Sequence, residues 1–461
     1  MARRCVIVGA GLAGCVLANA LSDDFEVTVL ELGPARGITY PRLAFPRKTL
    51  GVVNTFCHGR GGTSNLWHNG LIPLRPDDVG DATFKAMLED AARYADRAAA
   101  MLHFPGESYS RSFAGLLNDV ESLAAGIGTF ADGVDTLVYP KHTTPLSPPS
   151  SAECAFDVRS IRVETSGERI TRVSWSTPEG DHSADADLLV VSAGAFGTPG
   201  VLTDVLEPFG IDPGKAGSGF IDHPMGFVGK LRFPKSVADS VAQFGLLDRG
   251  DHECRSMIRL RSDDGLLGCA YFRPCLSMNN DLSIYKYKSL LGASSGRKRL
   301  RNALSPRILH PDIVSEIVSH TTGLQIPTRT YSVLFMGEQR ERVGGVHTDG
   351  DTHTIDWGIS DAELGAYSSM IDGLFNQLAD VAETATVTRD LTDEWLWSGA
   401  HHSGTVTVGD ADSDLLTADL QVRNTANVFV CDASVIQEHS YANTGLTIAQ
   451  LALRLADALR R

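Results

Sequence analysis

The sequence has no C-x-x-C pair and no His/Cys cluster at metal-ligand spacing; its eight cysteines are scattered singly along 461 residues. That pattern excludes a disulfide-stapled scaffold and a zinc-type site, and it fits thiols kept in a reducing compartment. Cations are in deficit. With 41 Lys and Arg against 56 Asp and Glu the net charge is −15, the opposite of a nucleic-acid-binding footprint. Beyond the N-terminal segment no apolar run approaches the roughly 18 residues of a membrane helix, and no internal repeat is apparent. Hydrophobic residues, at 43%, suffice for a large core. These features lead to the expectation of a cytoplasmic enzyme acting on small molecules, with no nucleic acid, membrane or metal among its partners.

The segment "RRCVIVGAGLAGC" (3 to 15) reads in two incompatible ways. Two arginines, an apolar run and Leu12-Ala13-Gly14-Cys15 look like a lipoprotein signal cleaved before Cys15. The same letters put Gly9, Gly11 and Gly14 in a G-x-G-x-x-G pattern behind a short apolar strand. A cleaved signal makes no demand on the residues downstream, whereas a dinucleotide site demands a helix, a second strand and an acid about 20 residues on. Ala13 to Leu21 reads as that helix, Phe25 to Leu30 as the strand, and Glu31 as the acid. Gly9 then allows the tight turn, Gly11 the approach of a pyrophosphate, and Gly14 close helix–sheet packing, while Glu31 is placed to accept from ribose hydroxyls. The dinucleotide reading is therefore adopted, and the segment is expected to remain in the protein.

Further along, "HGRGGTSNLWHNG" (58 to 70) is too rich in glycine for a regular element. Asp81 to Leu102 reads as a helix, and "ADLLVV" (186 to 191) as a strand buried on both faces. Residues 225 to 357 are strand-rich. Ser360 to Val381 reads as a helix with Ser360 its N-cap and Glu363 at the capping-box position. The end, "NVFVCDAS" (427 to 434) and Gly445 to Leu459, is again strand, loop and helix.

A series of motifs, in order, resembles the glucose–methanol–choline (GMC) family of FAD-dependent oxidoreductases. They are the N-terminal glycine pattern with Glu31, "GGTSNLW" (61 to 67), "SAGAFGTPGVL" (192 to 202), "GFIDHP" (219 to 224), "HHSGTVTVG" (401 to 409), "NVFVCDAS" and "YANTGLTIAQLALRLAD" (441 to 457). The resemblance implies an α/β fold, with a Rossmann-like FAD-binding domain and an inserted α+β substrate domain on a mostly antiparallel sheet. Residues 1–75, 150–225 and 385–461 are assigned to the discontinuous FAD domain, and 76–149 and 226–384 to the substrate domain and cap elements. The implied cofactor contacts are Gly9, Gly11, Leu12, Ala13, Gly14, Glu31, Gly61, Gly62, Thr63, Asn65, Leu66, Val158, Ala193, Gly194, Asp432, Ala433, Asn443 and Thr444. Some family members attach FAD through a histidine in the Gly-Gly loop; that position is Leu66 here, so FAD is expected to be non-covalent.

The resemblance also implies two catalytic residues. His401 precedes Ser403-Gly404-Thr405 in the family's H-x-x-G-T arrangement, and Asn443 lies in a Y-A-N context similar to pyranose oxidases, although Thr444 stands where proline usually follows. Alcohol oxidation removes a hydroxyl proton and a hydride from one carbon, which suits an imidazole base at His401 and a hydrogen-bonding side chain at Asn443. Neighbours in extended backbone point to opposite faces, so His401 rather than His402 is expected to face the flavin. His58 and His68 are candidates for the pocket wall, Trp67, Trp395 and Trp397 for either core or substrate platform, and His439 for the pocket rim or a structural role. The expected reaction is alcohol to carbonyl, with O2 or another electron acceptor. The expected substrate is a sugar-like or aminocyclitol polyol of secondary metabolism, with a hydrophobic alcohol, or a lyase reaction without net redox, as the alternatives.

Overall fold

Short runs of apolar residues that cannot face water on either side build the centre of the molecule. The structure is a computed structural model describing residues 2–51, 53–214, 216–293, 305–322, 327–349, 352–388 and 391–461. Strands β1 (Arg3–Val8), β2 (Phe25–Leu30), β3 (Glu153–Ala155), β4 (Leu188–Val191) and β5 (Val428–Val430) form a parallel sheet in the order β5-β4-β1-β2-β3. Cys5 to Ile7 and Leu189 to Val191 are almost completely buried, as parallel strands covered on both faces must be. Helix α1 (Leu12–Leu21) follows β1, α2 (Gly194–Leu206) follows β4, and α3 (Thr444–Arg460) closes the chain and packs on α1. A Cβ on Gly14 would collide with the carbonyl oxygen of Gly9, so this helix crosses the turn as closely as glycine alone allows. Cys15 is buried within α1, its Sγ 3.2 Å from the Ala10 carbonyl.

The second sheet has eight strands and is antiparallel throughout. Its centre is Thr330–Gly337, flanked by Pro224–Arg232 and Leu267–Cys275, with His252–Arg261 and Val134–Pro140 beyond. Val333 and Phe335 point to the helix Asp361–Leu378, while Leu334 and Met336, one residue out of phase, point to the cleft between the sheets. That helix begins as its sequence indicates, with Ser360 and Glu363 in a reciprocal capping box. The fold is thus the expected one, a Rossmann-like α/β part joined to a mostly antiparallel sheet.

One expected element is broken. The helix read from Asp81 to Leu102 is two helices, Ala82–Ala91 and Ala95–Met101, joined by a 3₁₀ turn at Ala92–Tyr94. The turn buries Tyr94 and sets its hydroxyl 2.9 Å from Asp457 Oδ2 on α3, so both halves lie on that helix. No glycine or proline marks the break; a tertiary contact made it.

The two sheets are stapled by Asp135. It is fully buried in Val134–Pro140, and its Oδ2 accepts from Arg75 Nη2 at 2.6 Å and from the Tyr441 hydroxyl at 2.9 Å. Burial pushes this carboxyl up, and Arg75, the Thr136 amide and Tyr441 oppose it. Tyr441 thereby ties the loop before α3 to the antiparallel sheet. Replacing it with Phe leaves a buried carboxylate short of one donor and should cost about 1–3 kcal/mol, read as a lower denaturation midpoint. An unchanged midpoint would exclude the staple.

Candidate active site

Between the sheets lies a cleft of about 1960 Å³, roughly twice the upper end of the usual 300–1,000 Å³ range for a small-molecule site. One end is formed by Gly9, Gly11, Leu12, Ala13, Glu31, Gly62, Thr63, Leu66, Val158, Ala193, Gly194, Asp432 and Ala433. Gly11 is the N-cap of α1 and supplies no side-chain cap; the first turn carries no acid, and open space lies over its Cα. Unpaired N–H groups at the positive end of a helix dipole fit a diphosphate.

Three residues expected to be cofactor contacts lie off the cleft lining. Gly14 packs against Gly9, the Gly61 amide donates to Ala10 O at 2.8 Å, and Asn65 Nδ2 donates to the carbonyls of Arg60 and Gly62 at 2.9 and 2.8 Å. They shape the loop that lines the cleft. Glu31, expected to accept from a ribose, has its carboxylate oxygens engaged by backbone. Its Oε2 accepts from the Ala10 amide at 2.8 Å, and its Oε1 from Gly33 at 2.8 Å and Gly59 at 2.9 Å, so one carboxyl gathers three loops. Asp432 is similarly engaged, accepting from Gly194 N, Thr198 Oγ1 and Ser434 N at 2.8, 2.6 and 2.7 Å.

The other end is organised around Asp222, which is completely buried. Its Oδ1 accepts from the backbone amides of His223 (2.7 Å) and His401 (3.0 Å), and its Oδ2 accepts from Ser398 Oγ (2.5 Å) and lies 2.8 Å from His402 Nδ1. Burial alone would raise the Asp222 carboxyl; His402, Ser398 and His401 outweigh it and hold it below the usual carboxylate range. His402, more buried than His401, lines the cleft as well and is held there, stacked on Phe196 at 4.5 Å with Nε2 2.9 Å from Thr55 Oγ1. His401 is half-buried at the cleft with Asn443, and Trp67, His58, His68, Trp395 and Trp397 line it too. Asn443 occupies the N-cap position of α3 but makes no capping bond with its side chain.

Hydrogen-bond logic fixes the His401 tautomer. His223 Nε2 is 2.8 Å from the Ser440 carbonyl, which can only accept, so this nitrogen carries a proton. Burial, reinforced by His439 and His401, holds His223 well below the usual imidazole range, so it is neutral and its Nδ1 is bare. That Nδ1 is 2.7 Å from His401 Nδ1 and accepts from it. His401, itself pushed down to about 4 by burial against the opposing Asp222, is therefore neutral with Nδ1–H, leaving Nε2 as a base.

The "GFIDHP" motif is visible in the sequence without giving Asp222 or His223 a role, because their partners are 178 to 179 residues away. His439, expected at the pocket rim or in a structural role, is fully buried behind His223, ring centroids 3.8 Å apart, and neither ring nitrogen has a hydrogen-bond partner among the described residues. No group of His, Cys, Asp and Glu suited to a metal occurs among the described residues.

Residues 349–452 match the family model described as GMC oxidoreductase, C-terminal. This chain carries a GMC oxidoreductase C-terminal domain. That domain contains His401 and Asn443, and GMC oxidoreductases are FAD flavoproteins. Two solved structures share the fold over nearly the whole chain. Pyridoxine 4-oxidase from Mesorbium loti is 15% identical with a TM-score of 0.60, covering 99% of both chains. A formate oxidase from Aspergillus oryzae RIB40, in a structure addressing the effect of a mutation on FAD modification, is 16% identical with a TM-score of 0.59, covering 99% of this chain and 97% of that one. At such identities the likeness is one of fold. No curated protein matches in sequence.

The buried histidines make stability pH-dependent in a defined direction. Burial lowers His439 from 6.5 to about 3, so below pH 6.5 the unfolded chain binds a proton that the folded chain refuses. Its contribution is complete above that pH and is lost as pH falls. Unfolding measured between pH 7 and 5 should show a shallower loss in His439→Asn, by up to about 1.4 kcal/mol per pH unit below 6.5. Parallel curves would mean that His439 is protonated in the fold.

Proposed function

We propose that the protein oxidises an alcohol to a carbonyl with non-covalently bound FAD, His401 acting as the base. The observation that carries this is the bare Nε2 of His401, set by its bond to His223 and held at the cleft beside Asn443. FAD would be held by the α1 N-terminus, Glu31 and the 61–66 loop at one end and by the residues near Ala433 and α3 toward the other. Bound there, its flavin would accept the hydride.

His401 Nε2 takes the hydroxyl proton, and the imidazolium that forms keeps its Nδ1–H on His223 while Asp222 offsets its charge. Asn443 presents an uncommitted amide to the substrate oxygen, where negative charge develops. His223 passes no proton further, since its Nε2–H ends on a carbonyl; the proton therefore returns through the cleft, to the reduced acceptor or to water. O2 or another acceptor reoxidises the flavin in this reading. Leu66 at the Gly-Gly loop supports non-covalent attachment.

The antiparallel-sheet wall of the cleft favours one substrate class over the other. Leu137, Met225, Leu334, Met336 and Trp397 bring apolar surface, Tyr139 and Tyr271 bring rings with single hydroxyls, and Arg273 adds one guanidinium. A polyol needs a denser set of donors and acceptors than this, so the wall supports an alcohol with an aromatic or aliphatic body rather than a sugar-like or aminocyclitol polyol. A cytoplasmic location is part of the proposal. Its support is eight free cysteines and Cys15 inside α1, where loss of the preceding residues would remove β1 from the middle of its sheet. No helix among the described residues is long and apolar enough to cross a membrane.

The purified protein should release its flavin into the supernatant on acid precipitation; flavin left on the pellet would end the non-covalent claim. Mixed anaerobically with a panel of alcohols, the flavin should bleach, and His401→Ala should slow bleaching by about 10²–10⁴ with FAD retained. Turnover without bleaching would instead identify a lyase.

A further inference from the structure

Arg273 stands on Leu267–Cys275 two residues beyond Tyr271, on the same face of the strand, and lines the cleft. No ion pair or side-chain hydrogen bond satisfies its guanidinium among the described residues. Arg255, on His252–Arg261, is in the same condition and lies over the Tyr139 ring at 5.5 Å. The two arginines border one depression of about 50 Å³, with Phe272 and Tyr331 also in its wall, so they are close neighbours.

Carboxylates are not scarce in this chain, with 56 acids against 41 bases. The surrounding cations have found theirs: Lys286 with Glu394 at 2.9 Å, Lys141 with Asp248 at 2.7 Å, Lys230 with Asp312 at 2.6 Å, Arg259 with Asp78 at 2.9 Å, and Arg249 with Asp119. Two adjacent guanidiniums without a carboxylate repel each other, and a bidentate anion would relieve both.

The sheet register places this pair relative to the catalytic end. Arg273 is opposite Ser332, four residues along the strand from Met336, which is opposite Met225; Met225 in turn pairs with Trp397, four residues before His401. Four residues along the strands amount to about 13 Å and the three strand spacings from Arg273 to Trp397 to about 14 Å, about 19 Å on the diagonal, shortened by the reach of the arginine and imidazole side chains. An alcohol with a ring or an extended carbon chain as its body spans what is left, across the wall formed by Met336, Leu334 and Tyr271.

We propose that the substrate is an alcohol bearing an anionic group, a carboxylate or a phosphate monoester, which Arg273 and Arg255 hold while its hydroxyl carbon lies between His401 and Asn443. This rests on the alcohol-oxidation reading for the identity of the reacting end. The FAD-loaded enzyme should be mixed anaerobically with ω-hydroxy carboxylates, 4-(hydroxymethyl)benzoate and phosphate monoesters of the matching diols, each beside its primary amide or free diol. The charged member of a pair should have a kcat/KM about 10-fold or more above the neutral one, and the carboxylate and phosphate arms identify which anion is preferred. In the R255Q/R273Q double variant that ratio should fall toward one, and in R255K/R273K it should largely persist. Equal or better use of the neutral members, or a preference that survives R255Q/R273Q, would overturn the proposal. A second readout does not need turnover. Benzoate and phenyl phosphate, titrated into the oxidised holoenzyme and followed by flavin absorbance, should bind about 10-fold or more weakly to R255Q/R273Q, and unchanged binding would count against the site. Loss of anion binding in the double variant, with no alcohol bleaching the wild-type flavin, would leave the anion site standing and remove the oxidation reading.

Discussion

The His401 end of the cleft depends on one carboxylate. Asp222 has no exposure, and an unpaired ion in that position would cost several kcal/mol. The cost is met by two backbone amides, one serine hydroxyl and one imidazole. Because the amides of His223 and His401 converge on the same oxygen, segments 178 residues apart are clamped side by side, and their rings follow at 2.7 Å. Ser398 and His402 bring the rest of the 398–402 turn to the second oxygen. The geometry at His401 and the joining of these two segments are therefore one arrangement, and neither can be altered at Asp222 without the other.

The clamp also holds backbone that would not adopt its conformation alone. Ala400 (φ 64°) and Ser440 (φ 53°) are non-glycine residues in the left-handed region, costing on the order of 1 kcal/mol each. Both positions flank the site. The Ala400 amide donates to the same Ser398 Oγ that donates to Asp222, and the Ser440 carbonyl is the acceptor that decides which nitrogen of His223 is protonated. Strain at these residues aims one imidazole edge and one carbonyl, and the buried network around them over-determines the result.

The line between what the sequence reveals and what it conceals falls between local and distant partners. Glycines that touch their own neighbourhood are legible: Gly9, Gly11 and Gly14 act within one β-turn-α unit, and Ser360 with Glu363 within one helix start. His401 and Asn443 are legible through local motifs. Asp222 and His223 have a motif but no role, since their meaning comes from His401, Ser398 and Ser440 across the fold. Glu31 is legible by its expected ligand, but its three backbone donors, two of them in loops at Gly33 and Gly59, cannot be inferred from spacing. The break at Ala92–Tyr94 is invisible for the same reason, because helix propensity there is undisturbed and Tyr94 bends the chain to reach Asp457.

The charges of the site form a consistent pattern. Burial holds His223, His401 and His439 below the usual imidazole range, with His401 at about 4 and His439 at about 3, while Asp222 among them stays ionised. A neutral base beside a fixed anion is poised in one direction: it can gain a proton with stabilisation at hand, and it has none to give at rest. The bond to His223 completes the asymmetry. It presents a donor that remains donated in both charge states of His401, so protonation at Nε2 requires no rotation of the ring and no rearrangement behind it. The proton therefore has one way in and the same way out, through the cleft, and an oxidation assembled on these residues couples the charge of the base to the occupancy of that cleft.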